Sequence, residues 1–314
     1  MDEALECLTH LRVDRKGGHA APHQPCLLLA IICEIQAGHI TSPRILIDTR
    51  LIARYYDIFE TVTGERQRAR PWMPMWALRN RDGASGKLWR PEYLDSIRHI
   101  TDQMGQPKSI KQIEQRFSAA SLDPVLFSAV SNSQTAREAC ALLASQYLSW
   151  DKDAYRRLQD YLDTALTSGE YEQHTERLVG SVKETRQQYA RSTAFRSLVL
   201  EAYDYRCAAS RLRYITPDYR YLVEAAHLLP FSISQDDRPT NGLALTPNLH
   251  WAMDNHLIAP GPDHLWHVSP AVDALVADNR WLCELNQQPL VLPQDPRSRP
   301  DREALAWRLD HLQR

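Results

Sequence analysis

The stretch YLVEAAHLLPFSISQDDRPTNGLALTPNLHWAMDNHLI (221–258) holds an apolar run ending in His227, an Asn-Gly pair at 241–242, and His250 and Asp254 four residues apart. Residues 221–229 read as a strand stopped by Pro230, and the residues around 242–245 as a second strand. Thr246-Pro247 then opens a helix, with Thr as N-cap and Pro at the first helical position. On that helix His250 and Asp254 share one face. Strand, loop, strand and helix, with one His on the first strand and two ligand-type side chains on the helix, describe a metal site wrapped in a ββα unit. Phosphodiester hydrolysis suits it. An imidazole with a reference pKa of about 6.5 is a natural base for an attacking water. A divalent cation neutralises charge on the phosphate and the leaving oxygen. An amide side chain can hold the loop so that the imidazole faces the phosphate.

These residues resemble the HNH nucleases, in the subgroup that reads AAH…P…DDRPTNGLAL…HWAMD. Spacings of 14 residues from His227 to Asn241, nine to His250 and four to Asp254 are similar to that family's pattern. The upstream run RSTAFRSLVLEAYDYRCAASRLR (191–213) resembles the usual approach to this domain. The resemblance implies His227 as general base, Asn241 as orienting residue, His250 as metal ligand and Asp254 as second ligand or ligand support. Catalysis would then rest on His227, Asn241 and His250, with Mg²⁺ or Mn²⁺ as the expected metal. Glu224 is a further metal candidate, although strand alternation sets it on the face opposite His227. Two departures stand out. Cys207 is followed by Ser210 and no paired cysteines appear, so no structural zinc is expected. His256 stands where a Gly is expected, and reads as a supplementary ligand, a phosphate contact or a surface residue.

At 314 residues, 43% hydrophobic and 24% charged, the chain is long enough for two soluble domains. A net charge of −2 leaves nucleic acid open, because binding needs only a local basic surface. No apolar run is long enough to span a membrane, and the start MDEALECLTHLRVDRKGG lacks the pattern of a signal peptide, so the expected location is cytoplasmic. The six cysteines are scattered, which reads as buried reduced thiols.

The expected architecture is α+β: a helix-rich N-terminal DNA-reading domain with a small sheet (1–168), a solvated helical linker (169–191), the nuclease domain (192–290) and a tail with an amphipathic helix (291–314). Residues 22–37 read as a buried helix with Pro at its start and Gly at its end, and further helices are expected at 48–60, 109–118, 123–130, 134–149 and 151–166. Between them, ERQRARPWMPMWALRNRDGASGKLWRPE (65–92) reads as a loop, a strand near 75–78, a turn at Asp82-Gly83 and a strand near 87–90.

That segment sets seven basic residues among Trp72, Trp76 and Trp89. It suits phosphate contact with aromatic faces on sugars or bases, or else a basic loop whose Trp residues pack on the core. RKGGHAAPHQPCLLLAI (15–31), PMWALRNRDG (74–83) and FSAASLDPVLF (117–127) resemble the sulfur-binding domain of certain type IV, modification-dependent restriction endonucleases. Those enzymes recognise phosphorothioate DNA. Sulfur is larger and more weakly hydrated than oxygen, so its reader should offer an apolar dent with cations around it. The resemblance implies Pro74 and Ala77 in the dent and His23 beside it, with Met73 in place of an aromatic and Gln24 in place of a cation. Arg15, Lys16 and Arg79 are the phosphate candidates. His23 can also be read as a helix-start residue packed on Pro22, and Pro74 and Ala77 are equally readable as structural residues. Double-stranded DNA, phosphorothioate-modified, is thus the expected partner, cut by a homodimer. A methylated base, unmodified DNA, or an HNH remnant that binds without cutting are the alternatives.

Overall fold

The computed structural model describes residues 3–16, 19–182 and 184–314, and the chain divides into two compact units, Met1–Gln173 and His174–Arg314. The first unit is built around α1 (His23–Gln36), which is buried from Gln24 to Gln36, as a helix apolar on nearly every side must be. Then come β1 (Arg44–Leu46), α2 (Thr49–Thr63), α3 (Trp72–Ala77), β2 (Trp89–Pro91), β3 (Ala119–Leu122), α4 (Pro124–Val130), α5 (Ser133–Tyr147) and α6 (Lys152–Gln173). α1 packs against α2, α3, α5 and α6. The strands form an antiparallel sheet in the order β1-β3-β2, with Ile45 opposite Ala120 and Arg90 opposite Ser121. Glu34, the one acid in α1, is held by Arg54 at 2.7 Å and His39 at 2.8 Å. Burial alone would raise its carboxyl, but these two cations hold it down at about 2.

The strand expected near 75–78 is instead the helix α3, continued by a 3₁₀ turn at Leu78–Asn80. The buried residues explain the correction. Pro71, Pro74, Met75 and Leu78 fall at i, i+3, i+4 and i+7, which is one face of a helix. A Pro in the first turn costs nothing there, because its missing N–H has no intrahelical acceptor. The expected helix 109–118 shortens to Ile110–Glu114.

The second unit holds α7 (Thr185–Ala202), β4 (Glu224–His227), β5 (Gly242–Leu245), α8 (Pro247–Asp254), β6 (Ile258–Pro260), β7 (Trp266–Val268), α9 (Arg280–Cys283) and α10 (Arg302–Asp310). β4 and β5 pair antiparallel, with His227 opposite Gly242, and α7 packs on both. Segments that the sequence set apart belong to this unit or to the first. α6 runs on to Gln173, and α7 begins before the supposed end of the linker, with Ala190 and Arg191 buried. Ala304 and Leu305 of the supposed tail sit in the same core as Phe195, Leu243, Met253 and Trp266. Mixed charge hides this packing in the sequence, since Arg191 and Arg308 are among the buried residues. Among the described residues no helix is long and apolar enough to cross a membrane.

The approach of α7 to the hairpin depends on Gly242. A Cβ there would collide with Val199 and lie 2.8 Å from Phe195. Gly242→Ala is therefore expected to destabilise the second unit by about 1–3 kcal/mol, the usual range for overpacking. It should show as a lower urea midpoint at unchanged slope; a parent-like midpoint would mean that helix and hairpin have slack.

Candidate functional site

The hairpin and α8 gather the residues expected from the sequence. Pro247 is the first residue of α8, and Thr246 is its cap by position, although its hydroxyl bonds the Asn248 side chain and not the backbone. On α8, His250 Nε2 lies 3.3 Å from Asp254 Oδ2. His250 Nδ1 lies 3.1 Å from Glu224 Oε2, so the imidazole bridges two carboxylates. Glu224 therefore joins the site through α8, whatever face of β4 it starts from. The hydrogen bond to Asp254 raises the His250 pKa against the opposing effect of burial, and Glu224 adds to the rise. In turn the bond to His250 lowers Asp254, with help from Arg308 and His227.

Imidazole nitrogen and carboxylate oxygen suit a divalent ion such as Mg²⁺ or Mn²⁺. Among the described residues, no group of three or more His, Cys, Asp or Glu side chains converges closely enough to hold a metal alone. The donor set fits an ion that draws on one or two carboxylates and completes its shell with phosphate and water.

His227 ends β4 and is a quarter exposed. Its ring stacks on Phe195, with centroids 3.9 Å apart and planes at 9°. Its Nε2 lies 3.0 Å from Asp237 Oδ1. Asn241, 3% exposed, clamps the loop that follows His227. Its Oδ1 accepts from Leu229 N at 2.9 Å, and its Nδ2 donates to Leu229 O at 3.0 Å and Asp236 O at 2.9 Å. An amide that supplies both donor and acceptor to backbone can replace the ladder bonds that a turning loop lacks.

Three residues of this constellation escaped the sequence reading. Asp237 lies inside a quoted motif but was assigned no role. Arg191, 1% exposed, lies 3.2 Å from Asp237 Oδ2. Arg308 on α10, 2% exposed, donates to Leu228 O and His227 O at 2.8 Å and to Met253 O at 3.2 Å, and lies 3.8 Å from Asp254. Burial pushes its guanidinium down while Asp254 pulls it up. A basic residue on an amphipathic helix gives no signal that its charge points inward. His256 has a φ of 56°, in the left-handed region that favours glycine, which fits the expectation of Gly at that position. Its ring sits near Trp307 and His311, with centroids at 6.5 and 6.1 Å.

In the first unit His23 opens α1. The Tyr55 hydroxyl lies 2.7 Å from its Nδ1, and its ring stacks on Phe59 at 4.9 Å. Burial, helped by Arg70, pushes its pKa down to about 4, so the ring is neutral near pH 7. Tyr55 also accepts from the backbone N of Arg70 at 3.4 Å, which ties His23 to the chain entering α3. On α3, Met73 and Ala77 are partly exposed and Pro74 is buried. Gln24 is turned inward. Its amide donates to Arg12 O at 3.0 Å and accepts from Arg81 at 3.2 Å, and the side chain is buried. Arg79 lies over Trp76 at 3.7 Å and donates to its carbonyl. Arg15 is exposed. The side chain of Lys16, like Gly17 and Gly18, lies outside the described residues. Trp89 is fully buried and Trp76 5% exposed, so these two serve the core. Trp72 keeps a partly exposed face, with Arg70 5.7 Å above it.

Residues 207–259 match the model of the HNH endonuclease family (HNH_2). No curated protein matches the chain. Among solved structures, a "Modification dependent TagI restriction endonuclease" is similar at 22% identity and a TM-score of 0.31, over 42% of this chain and 44% of its own. The likeness thus spans less than half of that protein. The family match takes in His227, Asn241, His250 and Asp254. The second unit thus contains a segment that matches the HNH endonuclease family.

Arg308 lies outside the matched segment and yet binds three carbonyls within it. Arg308→Ala is expected to cost about 2–4 kcal/mol, because buried carbonyls lose a charged donor. Arg308→Lys should recover little of this, since an ammonium lacks the planar fork. Thermal melts of both variants check this; parent-like melting of the Ala variant would sink it.

Proposed function

We propose that the chain is a metal-dependent DNA endonuclease, and that its first unit directs it to phosphorothioate-modified double-stranded DNA, in the manner of a type IV restriction enzyme. The observation that carries the catalytic half is His250 set between Glu224 and Asp254, on the helix that follows the His227 hairpin. His250 and Asp254, with Glu224 beside them, would hold Mg²⁺ or Mn²⁺. Such an ion, when bound, offsets the charge that builds on the phosphate and the leaving oxygen. His227 takes the proton of the attacking water, as an imidazole with a free ring nitrogen can. Asn241 keeps the loop after His227 closed, so the ring holds its place while the phosphate is engaged.

The reading of the first unit rests on the sequence resemblance, and three placements support it. α3, with Pro74, Ala77 and Met73, packs on α1. His23 lies at the start of α1 and is uncharged near pH 7. A neutral ring and an apolar helix face suit sulfur, which is soft and poorly hydrated, better than they suit a phosphate oxygen. Arg15, Arg79 and Lys16 would serve the remaining oxygens, and Gln24 is withdrawn from that role by its inward bonds.

Two experiments separate the halves. With Mn²⁺ and plasmid DNA, His227→Ala should nick at least 100-fold more slowly than the parent, as expected when a general base is lost. Equal nicking by the two would end the catalytic assignment. In gel shifts at fixed, moderate salt, a duplex with one phosphorothioate should bind at least 10-fold more tightly than its unmodified match, about 1.4 kcal/mol. Equal affinity would remove the sulfur reading and leave the nuclease untouched.

A further inference from the structure

We propose that Asp237, braced by the buried guanidinium of Arg191, is a positioning residue that holds the proton of His227 on Nε2 and so makes Nδ1 the nitrogen that acts on water. This rests on the reading of His227 as the base and adds which atom acts and what sets it.

The geometry leaves the ring little choice. Nε2 lies 3.0 Å from Asp237 Oδ1. At neutral pH a carboxylate accepts hydrogen bonds and cannot donate them, so the nitrogen facing it carries the hydrogen. Nδ1 then keeps its lone pair. The parallel stack on Phe195 at 3.9 Å limits tilting of the ring.

Asp237 is itself fixed. It is 4% exposed, its N–H donates to Leu178 O at 2.8 Å, and its Oδ2 faces Arg191 Nη2 at 3.2 Å. Arg191 is held by Gly180 O at 2.7 Å and by Leu178 O. A buried acid that fixes the tautomer of a general-base histidine is a known device in hydrolytic sites, and here it comes with its own buried counter-cation. The other charged groups near His227 are Asp254, which responds to its charge, and Arg308, which donates to its carbonyl.

In the step itself a proton passes from water to Nδ1 as the water oxygen bonds to phosphorus. The bond from phosphorus to the leaving oxygen breaks, and its electron pair stays on that oxygen, which solvent protonates. The imidazolium, its Nε2–H still held by Asp237, returns its proton to solvent.

The test uses the full-length protein. Long-range ¹H–¹⁵N spectra of histidine-labelled protein at pH 8, with the His227 signal identified by its loss in His227→Ala, should show the Nε2–H tautomer. The Nδ1–H tautomer would overturn the proposal. This measurement needs no cleavage and no Asp237 variant. Asp237→Asn should then cut about 10–100-fold more slowly in single turnover, the usual scale for an outer-shell partner. The acid limb of its pH–rate profile should move to lower pH, because the carboxylate no longer favours imidazolium, while DNA affinity in gel shifts stays as in the parent. A purely structural role would weaken binding or melting and leave that limb in place. Nicking by His227→Ala at the parent's rate would sink the base assignment itself. A parent-like Asp237→Asn beside a dead His227→Ala would sink the positioning role alone.

Discussion

The catalytic unit depends on how closely one helix can lie on one hairpin. Arg191, Phe195 and Val199 stand four residues apart along α7, so they project from a single face. Val199 and Phe195 occupy the space that a side chain at Gly242 would fill. Phe195 stacks on His227, and Arg191 meets Asp237. The missing Cβ at one position of β5 thus sets the height of the helix, and the height of the helix sets the ring of His227. A shift of a few tenths of an ångström at Gly242 would reach both Phe195 and Arg191, because tightly packed interiors pass strain on.

Two buried guanidiniums frame the site, and neither is an ordinary salt bridge. Taking an arginine out of water costs several kcal/mol, and one carboxylate rarely repays it in full. Here each guanidinium also collects carbonyls: Leu178 and Gly180 for Arg191, and Leu228, His227 and Met253 for Arg308. Some of those carbonyls also accept a backbone N–H, Leu178 O from Asp237 and Met253 O from His256, so the guanidiniums bind as second donors there. The planar fork of arginine serves several acceptors at once, as the single ammonium of lysine does not. The gain is less in stability than in geometry: the backbone of His227 and the end of α8 are tied to one rigid group.

What could be read from the sequence follows the range of the interactions. The hairpin, the Thr246-Pro247 start of α8 and the pairing of His250 with Asp254 are all encoded within about forty residues, where spacing and turn chemistry suffice. Asp237, Arg191 and Arg308 were missed because their meaning lies in partners brought close by folding; Arg308 and Leu228 stand 80 residues apart. The misreading of 75–78 has another cause. The mix of basic, aromatic and turn-forming residues reads as loop and strand, while the i, i+3, i+4, i+7 spacing of Pro71, Pro74, Met75 and Leu78 fits the helix whose buried face they form. Trp76 and Trp89 misled in the same way, since an aromatic among arginines reads alike whether it faces DNA or the core.

Under the proposed reading, the ring of His23 would let the first unit favour sulfur over oxygen without a new kind of chemistry. A charged imidazolium would attract any phosphate and discriminate poorly. Burial and the nearby Arg70 keep this ring neutral, with a pKa of about 4. The Tyr55 hydroxyl occupies its Nδ1, so the ring keeps only an uncharged Nε2, its edge and its face to offer. Under the proposed reading, affinity would come from the exposed cations, which do not distinguish the two atoms. Selectivity would come from a surface whose imidazole carries no charge, where a well-hydrated oxygen loses water for little return and a sulfur loses less. Desolvation is then the discriminating term, and it works through what the site withholds.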